Sequence, residues 1–237
     1  EKFRAFRFAG IIAFVCCLLI TGASTGLKKF QLENKELDRQ KNVLSAAGAF
    51  DGKDPGSDER IRELYKQRIE KVRVNNQGRL IRKDKEQGLT LYLYTIDGKL
   101  AAYIVPIESR GLWGKINGYM AIEKDGKTVA GFSVYNHSET PGLGGEIEKE
   151  WFGENFVGKR IVNRSGEFVS VAVAKGEAED LPGEKRKHYV DGISGATLTG
   201  KYLSEGIKKN LKRYEPVSVQ FQQQDQPVFQ NGNGVNE

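Results

Sequence analysis

The chain has 237 residues, with 37 Lys and Arg against 31 Asp and Glu, a net charge of +6 and a pI near 9.1. That length suits one or two domains with a buried core, and the moderate basicity fits a solvated surface, an anionic lipid face or an anionic ligand without calling for nucleic acid. Two adjacent cysteines, Cys16 and Cys17, and two distant histidines, His137 and His188, argue against a disulfide framework, a Cys-based zinc or iron–sulfur site and a His-based metal centre.

Phe8 to Ile20 (FAGIIAFVCCLLI) carries no charge, and Thr21 to Leu27 is small and weakly polar. As a helix, residues 8–27 would span about 30 Å, the thickness of a bilayer core. Lys2, Arg4 and Arg7 precede the stretch. They favour a cytoplasmic amino end, residues 1–7, and place the large remainder on the periplasmic side of a bacterial inner membrane. A cleaved signal peptide, with small residues at Thr21–Gly22–Ala23, is the rival reading. Residues 28–58 read as a charged stalk helix with apolar points at Leu37, Val43 and Leu44, followed by a loop over 51–58.

Glu59 to Val72 has Ile61, Leu64, Tyr65, Ile69 and Val72 at helical spacing. The period then changes to two. Leu89, Leu91 and Leu93 alternate, Asp97–Gly98 signals a hairpin into Leu100–Ile107, and Asp125–Gly126 signals another between Tyr119–Ile122 and Thr128–Tyr135. Phe168–Ala174 reads as a further strand. Leu198–Tyr214 returns to helix, with Leu203, Ile207, Leu211 and Tyr214 in one stripe. Lys208, Lys209, Lys212 and Arg213 near its end suit the helix dipole. The expected fold is α+β, an antiparallel sheet with flanking helices over residues 59–214, preceded by one membrane helix. Residues 215–237 form a polar, Gln/Asn-rich tail expected to be disordered or ordered only against a partner.

Glycine is abundant and uneven: 18 of the 28 lie between Gly98 and Gly206. They are densest in Ser138–Glu146 (SETPGLGGE) and Asp191–Gly200 (DGISGATLTG). In the second segment, small residues let backbone amides converge at a helix amino terminus, where the dipole attracts an anion. Ser194, Thr197 and Thr199 add hydroxyls there, and plain helix capping is the alternative use for them. Three familiar motifs fail. Gly195–Lys201 has phosphate-loop spacing, but Tyr202 stands where a magnesium-binding hydroxyl belongs. Gly192–Ile193–Ser194–Gly195 is one residue short of a nucleophile elbow, and Gly142–Leu143–Gly144–Gly145 lacks the third glycine of a dinucleotide fingerprint.

Asp191–Gly192–Ile193–Ser194–Gly195–Ala196–Thr197 resembles the flavinylation motif of the FMN-binding domain family, in which FMN is joined through its phosphate to the motif's threonine. With Arg110–Gly111–Leu112–Trp113–Gly114, Glu139–Glu146 (ETPGLGGE) and the anchor, the chain is similar to the C-subunit family of the bacterial Na+-translocating NADH:quinone reductases over roughly Phe8–Tyr214. The resemblance implies a membrane-anchored electron carrier with one covalent FMN on Thr197, relaying electrons from NADH toward ubiquinone in a complex that exports sodium. Asp191, Ser194, Gly195, Ala196, Leu198 and Thr199 would surround the phosphate, with the hydroxyls of Ser194 and Thr199 orienting it. Trp113 and Leu143 would wall the isoalloxazine, with Glu139 and Thr140 at its polar edge and Gly142 and Gly144 letting the backbone approach. No catalytic acid–base pair and no metal are expected, because the flavin carries the chemistry. The other subunits of the complex, the membrane and a flavin transferase using FAD are the implied partners. Relatives often have Ser where this chain has Gly200, which removes one phosphate hydrogen bond. The alternatives are the G subunit of the Rnf ferredoxin:NAD+ complex, which shares motif and anchor, and a non-redox anchored ligand-binding module.

Overall fold

Residues 2–50, 54–81 and 88–223 are described by the structure, a computed structural model. The chain divides into two units, residues 1–39 and 40–237. The first unit is helical throughout its described length, part of α1 (Lys2–Ala46). Its apolar side chains are exposed, Phe8 at 67% and Leu19 at 68%, and the helix is long and apolar enough to cross a membrane.

The second unit begins within the last turns of α1. Val43, Leu44 and Ala46 are fully buried, and the Ser133 hydroxyl donates to Asn42 Oδ1 at 2.7 Å. The expected boundary at residue 58/59 is therefore corrected: the end of the stalk is an element of the folded domain. Of the loop expected over 51–58, residues 51–53 lie outside the described residues.

Helix α2 (Asp58–Arg68) is capped by Ser57, whose hydroxyl accepts from the Arg60 amide, and it carries Asp58 and Glu59 in its first turn and Lys66 and Arg68 in its last. It stops four residues before the expected Val72, because Ile69–Val74 becomes β1 and pairs antiparallel with β2 (Leu89–Ile96). Sheet pairing overrides a helical pattern that fits the same residues.

Strands β1, β2, β3 (Lys99–Arg110), β4 (Lys115–Glu123) and β5 (Val129–Asn136) form one antiparallel sheet in chain order. The first hairpin turns as expected, with Asp97 at φ 50° and Gly98 at φ 72°, both left-handed as a type I′ turn requires. At the second, Asp125 Oδ1 accepts from the amides of Lys127 (2.7 Å) and Thr128 (2.9 Å). The expected strand Phe168–Ala174 shrinks to β6 (Ala172–Val173), parallel to β7 (Tyr189–Val190). Ser170 at φ 73° breaks the extended run, and both Val169 and Ser170 donate their amides to Ile161 O. The short helices α3 (Glu150–Glu154) and α4 (Gly183–Arg186) lie in the connections.

Helix α5 (Thr197–Gln223) packs on the sheet along β3, burying the expected stripe of Leu203, Ile207, Leu211 and Tyr214 in the same core cluster as Tyr103, Ile107, Ile116 and Met120. Its approach to β3 is so close that a Cβ on Gly206 would overlap the Ser109 side chain. Ser109 Oγ donates to Tyr202 O at 2.6 Å, and Asn210 Nδ2 donates to Glu108 O at 2.7 Å. These bonds fix where the helix begins relative to the β3–β4 loop, residues 111–114.

The helix does not end at Tyr214. It continues nine residues beyond, with Val217 and Phe221 buried at 1% and 3% exposure. Phe221 lies 4.5 Å from Tyr103, centroid to centroid, and Ser218 Oγ is 2.6 Å from the Tyr103 hydroxyl. The expected polar tail is corrected accordingly: residues 215–223 belong to the domain, and 224–237 lie outside the described residues.

Candidate functional site

The start of α5 is shaped by a left-handed glycine. Gly195 at φ 73° follows Ser194, the Ala196 amide donates to Ile193 O at 3.0 Å, and the Ala196 carbonyl takes the first helical bond, from Gly200. Thr197 then stands at the first helical position with its side chain exposed, as are Ser194 and Leu198. First-turn amides of a helix have no intrahelical acceptor, so this exposed end offers N–H donors and the positive pole of the dipole to an anion.

The three hydroxyls of the motif differ in environment. Thr199 is 2% exposed, and its Oγ1 donates to Glu139 Oε2 at 2.5 Å. The Thr199 hydroxyl proton is directed inward, to Glu139, and not toward the exposed end of the helix. Asp191 also faces inward, its Oδ1 accepting from the Ala178 amide at 2.7 Å, so it fastens the 174–178 connection to β7. Ala196 is buried at 6% exposure. Gly200 is small for a packing reason, since a Cβ there would lie 3.0 Å from Val173 Cγ1.

The ETPGLGG segment closes on itself. Thr140 O accepts from the amides of Leu143 (3.1 Å) and Gly145 (2.9 Å), with Pro141 and Gly142 at the turn centre and Gly142 at φ 74°. Proline followed by a left-handed glycine is the type II pattern. Leu143 reaches the helix start, its Cδ2 lying 2.7 Å from where a Gly195 Cβ would be. Thr140 is exposed on the same turn.

Glu139 is buried, at 4% exposure, and lies between the segments. Its Oε1 accepts the Trp113 amide at 3.0 Å, its Oε2 accepts the Thr199 hydroxyl, and the Leu112 amide also donates to the carboxylate. Burial alone would raise this carboxyl. The bonds from Thr199, Trp113 and Leu112, with the nearby His137, outweigh it and hold the group below the ordinary carboxylate value. Its own amide donates to His137 Nδ1 at 3.1 Å, and His137 Nε2 is 3.1 Å from Glu148. Two glycines yield space to the carboxylate: a Cβ on Gly111 would collide with Oε1, and one on Gly144 would meet Thr199 Oγ1 at 2.6 Å and Glu139 Oε2 at 2.9 Å.

The segments singled out in the sequence thus come together through Glu139 and Leu143. On them stand large apolar side chains open to solvent, namely Trp113 at 70%, Leu198 at 48%, and Leu112 and Leu143 at 43% each. An open cavity of about 560 Å³ runs along Glu108–Lys115 beside Trp113, within the range of small-molecule sites. Sequence reasoning quoted Arg110 and Leu112 within the RGLWG segment and His137 as one of two distant histidines but gave none of them a place in the site; the Arg110 guanidinium sits 4.9 Å from the Tyr202 ring centroid. No spacing rule marks them, because each is placed by a turn or by another segment. Among the described residues no cluster of metal-ligating side chains occurs.

The FMN-binding domain family matches residues 111–212, which contain Leu112, Trp113, the ETPGLGG segment and the start of α5. The C subunit of the Na+-translocating NADH-quinone reductase of Pseudomonas aeruginosa is 33% identical over 231 residues, covering 84% of this chain and 87% of that protein. The Yersinia pestis protein of the same name is 33% identical over 233 residues, covering 85% and 84%. The crystal structure of the C subunit from Parabacteroides distasonis superposes with a TM-score of 0.70 at 31% identity, over 84% of this chain and 98% of that one.

Proposed function

The chain belongs to the C-subunit family of the Na+-translocating NADH-quinone reductases, and from this we propose that it carries FMN esterified through its phosphate to Thr197 and relays electrons within such a complex. The observation that carries the linkage is the contrast between hydroxyls. Thr197 is exposed in the first turn of α5, whereas Thr199 is buried and bonded to Glu139. A phosphodiester on Thr197 leaves one negative charge beside the helix end, where N–H donors and dipole favour it. Transfer from FAD would join the Thr197 oxygen to the flavin-side phosphorus and release AMP, with the hydroxyl proton passing to the transferase.

The flavin supplies reversible electron uptake, and the chain's residues hold it. Trp113, Leu112, Leu143 and Leu198 offer the apolar surface that an isoalloxazine needs, with Thr140 and Ser194 as exposed polar neighbours. Gly195 and Gly142 supply left-handed turns that bring these segments to the helix start. The apolar part of α1 anchors the chain in the inner membrane, and Lys2, Arg4 and Arg7 hold the amino end on the cytoplasmic side, leaving the flavin domain periplasmic. The remaining subunits of the complex and a flavin transferase are its partners.

In-gel fluorescence of the full chain coexpressed with a flavin transferase tests the linkage. A yellow-fluorescent band should survive SDS in the wild type and vanish in Thr197→Ala. Loss in Thr199→Ala with retention in Thr197→Ala would move the linkage, and a dark wild-type band would end the flavin reading. Copurification with a sodium-dependent NADH oxidase tests the complex.

A further inference from the structure

The family resemblance implies a Glu139 side chain at the edge of a flavin; in the structure its carboxylate is buried and its partners come from two other parts of the site. Oε1 takes the Trp113 amide from the β3–β4 loop, and Oε2 takes the Thr199 hydroxyl from the first turn of α5. We propose that Glu139 is the positioning residue of the site: its carboxylate holds the Trp113 loop and the Thr197-bearing turn in one fixed relation, so that the indole is presented to whatever Thr197 carries.

Three observations support this beyond the bonds themselves. Glu139 is 4% exposed, and hydrogen bonds donated to a charged carboxylate are stronger than those between neutral groups. Glycines at 111 and 144 are required by the carboxylate, because a Cβ at either would strike Glu139 or the hydroxyl bound to it. The Trp113 side chain is 70% exposed, so its own packing does not explain its placement. What holds the loop is its backbone, through the Gly111 amide to Gly114 O at 2.6 Å and the Trp113 amide to Glu139 at 3.0 Å. Glu139 is fixed in turn by its amide on His137 Nδ1, and His137 by Glu148. The arrangement differs from a contact with the cofactor. Glu139 acts on the flavin only through Trp113 and Thr199.

The flavin arm of the test rests on the Thr197 reading; a second arm does not. Full-length wild type, Glu139→Gln and Thr199→Val are prepared with and without the flavin transferase. In the protein without flavin, hydrogen exchange at the Leu112 and Trp113 amides should quicken at least about tenfold in Glu139→Gln. The amides of Tyr103 and Ile122, paired across β3 and β4 toward the end of the ladder away from the loop, should stay protected. Thr199→Val, which keeps the carboxylate and removes only the hydroxyl, should give a smaller acceleration at the same two amides. In the flavin-carrying protein, fluorescence in the native state relative to the same sample in SDS should rise at least about twofold in Glu139→Gln, because an indole held against a flavin quenches it. Trp113→Phe should raise the ratio likewise, and combining it with Glu139→Gln should add nothing. Unchanged exchange at Leu112 and Trp113 would overturn the proposal. So would acceleration shared with Tyr103 and Ile122, which marks a general structural role, or a native fluorescence ratio equal to wild type. A wild type that takes up no flavin would end the Thr197 reading and leave the exchange arm to decide the role of Glu139.

Discussion

Phe221→Ala separates two accounts of the carboxy-terminal part of α5. If residues beyond Tyr214 were a loose polar tail, the substitution would shift stability by no more than about 0.5 kcal/mol, as at ordinary surface positions. In the structure Phe221 is 3% exposed, lies 4.5 Å from the ring of Tyr103, and belongs to the main core cluster with Val217 and Tyr214. Truncating a buried Phe costs about 3–5 kcal/mol, and the ring pair contributes about 0.5–1.5 kcal/mol of interaction beyond its area. Phe221 sits at the end of its helix, where neighbours can close over the gap, so the low end, about 3 kcal/mol, is expected. For a domain of this size that is a fall in Tm of about 6–12 °C. Thermal unfolding of the full chain in detergent, followed by circular dichroism at a β-sheet wavelength, reads it. Val219→Ala, at a position 38% exposed on the same turns, is the control and should stay near wild type. A loss below about 1 kcal/mol for Phe221→Ala would refute the packing of 215–223 on the sheet.

Gly206→Ala should destabilise by about 1–3 kcal/mol despite the better helix propensity of Ala, because its Cβ would overlap Ser109 and push α5 off β3. Adding Ser109→Gly should recover part of that loss in the same melts. For Glu139 the carboxyl is lowered in the folded state from its ordinary value of 4.5, so its ionised form contributes stability above that value. That contribution disappears as pH falls through the folded pKa. The stability gap between wild type and Glu139→Gln should therefore be full at pH 6–7 and shrink progressively below about pH 4.5 in urea titrations. A gap that persists undiminished to pH 3 would show that Gln fails by shape rather than by lost charge.

The hairpins were legible because their causes are local. Asp97–Gly98 and Asp125–Gly126 supply turn chemistry at the point where the period changes to two, and the structure turns at both. What was lost depends on distant chain. Ile69 and Val72 satisfy a helical stripe with Ile61 and Tyr65 as well as they satisfy a strand, and only β2, some 20 residues later, decides between them. Val217 and Phe221 continue the stripe of Tyr214 at steps of three and four, so the signal for the longer helix was present. It was masked by Gln220 and Gln222, which read as tail but donate to Gln77 O and Gly126 O on the loops that flank the helix end. The strand expected over 168–174 failed for another local reason: Ser170 is left-handed without being glycine, a state that sequence composition does not announce.

The two glycine clusters meet in the structure, at Leu143 and Gly195 and through Glu139, but say less about what the place holds than their density suggests. A missing Cβ records that something comes close, without saying what. At Gly111 and Gly144 the visitor is the Glu139 carboxylate, at Gly114 it is Ser138, at Gly195 it is Leu143, and at Gly200 it is Val173. Gly142 has open space around it, and its positive φ alone accounts for it as a turn residue. Most of these glycines are therefore spent on assembling the site from its own segments, with Glu139 and Leu143 as the joints. A flavin on Thr197 needs no glycine gap to enter, because Thr197, Leu198, Leu143 and Trp113 already stand at the surface. On the proposed linkage this divides the motif's labour: the buried Ala196 and Thr199 and the half-buried Asp191, bonded to the Ala178 amide, build the platform, and the exposed Ser194 and Thr197 would meet the transferase and then the phosphate. Substitutions in the platform should impair flavin attachment only through local order, whereas Thr197→Ala should abolish it in a domain that still melts like wild type.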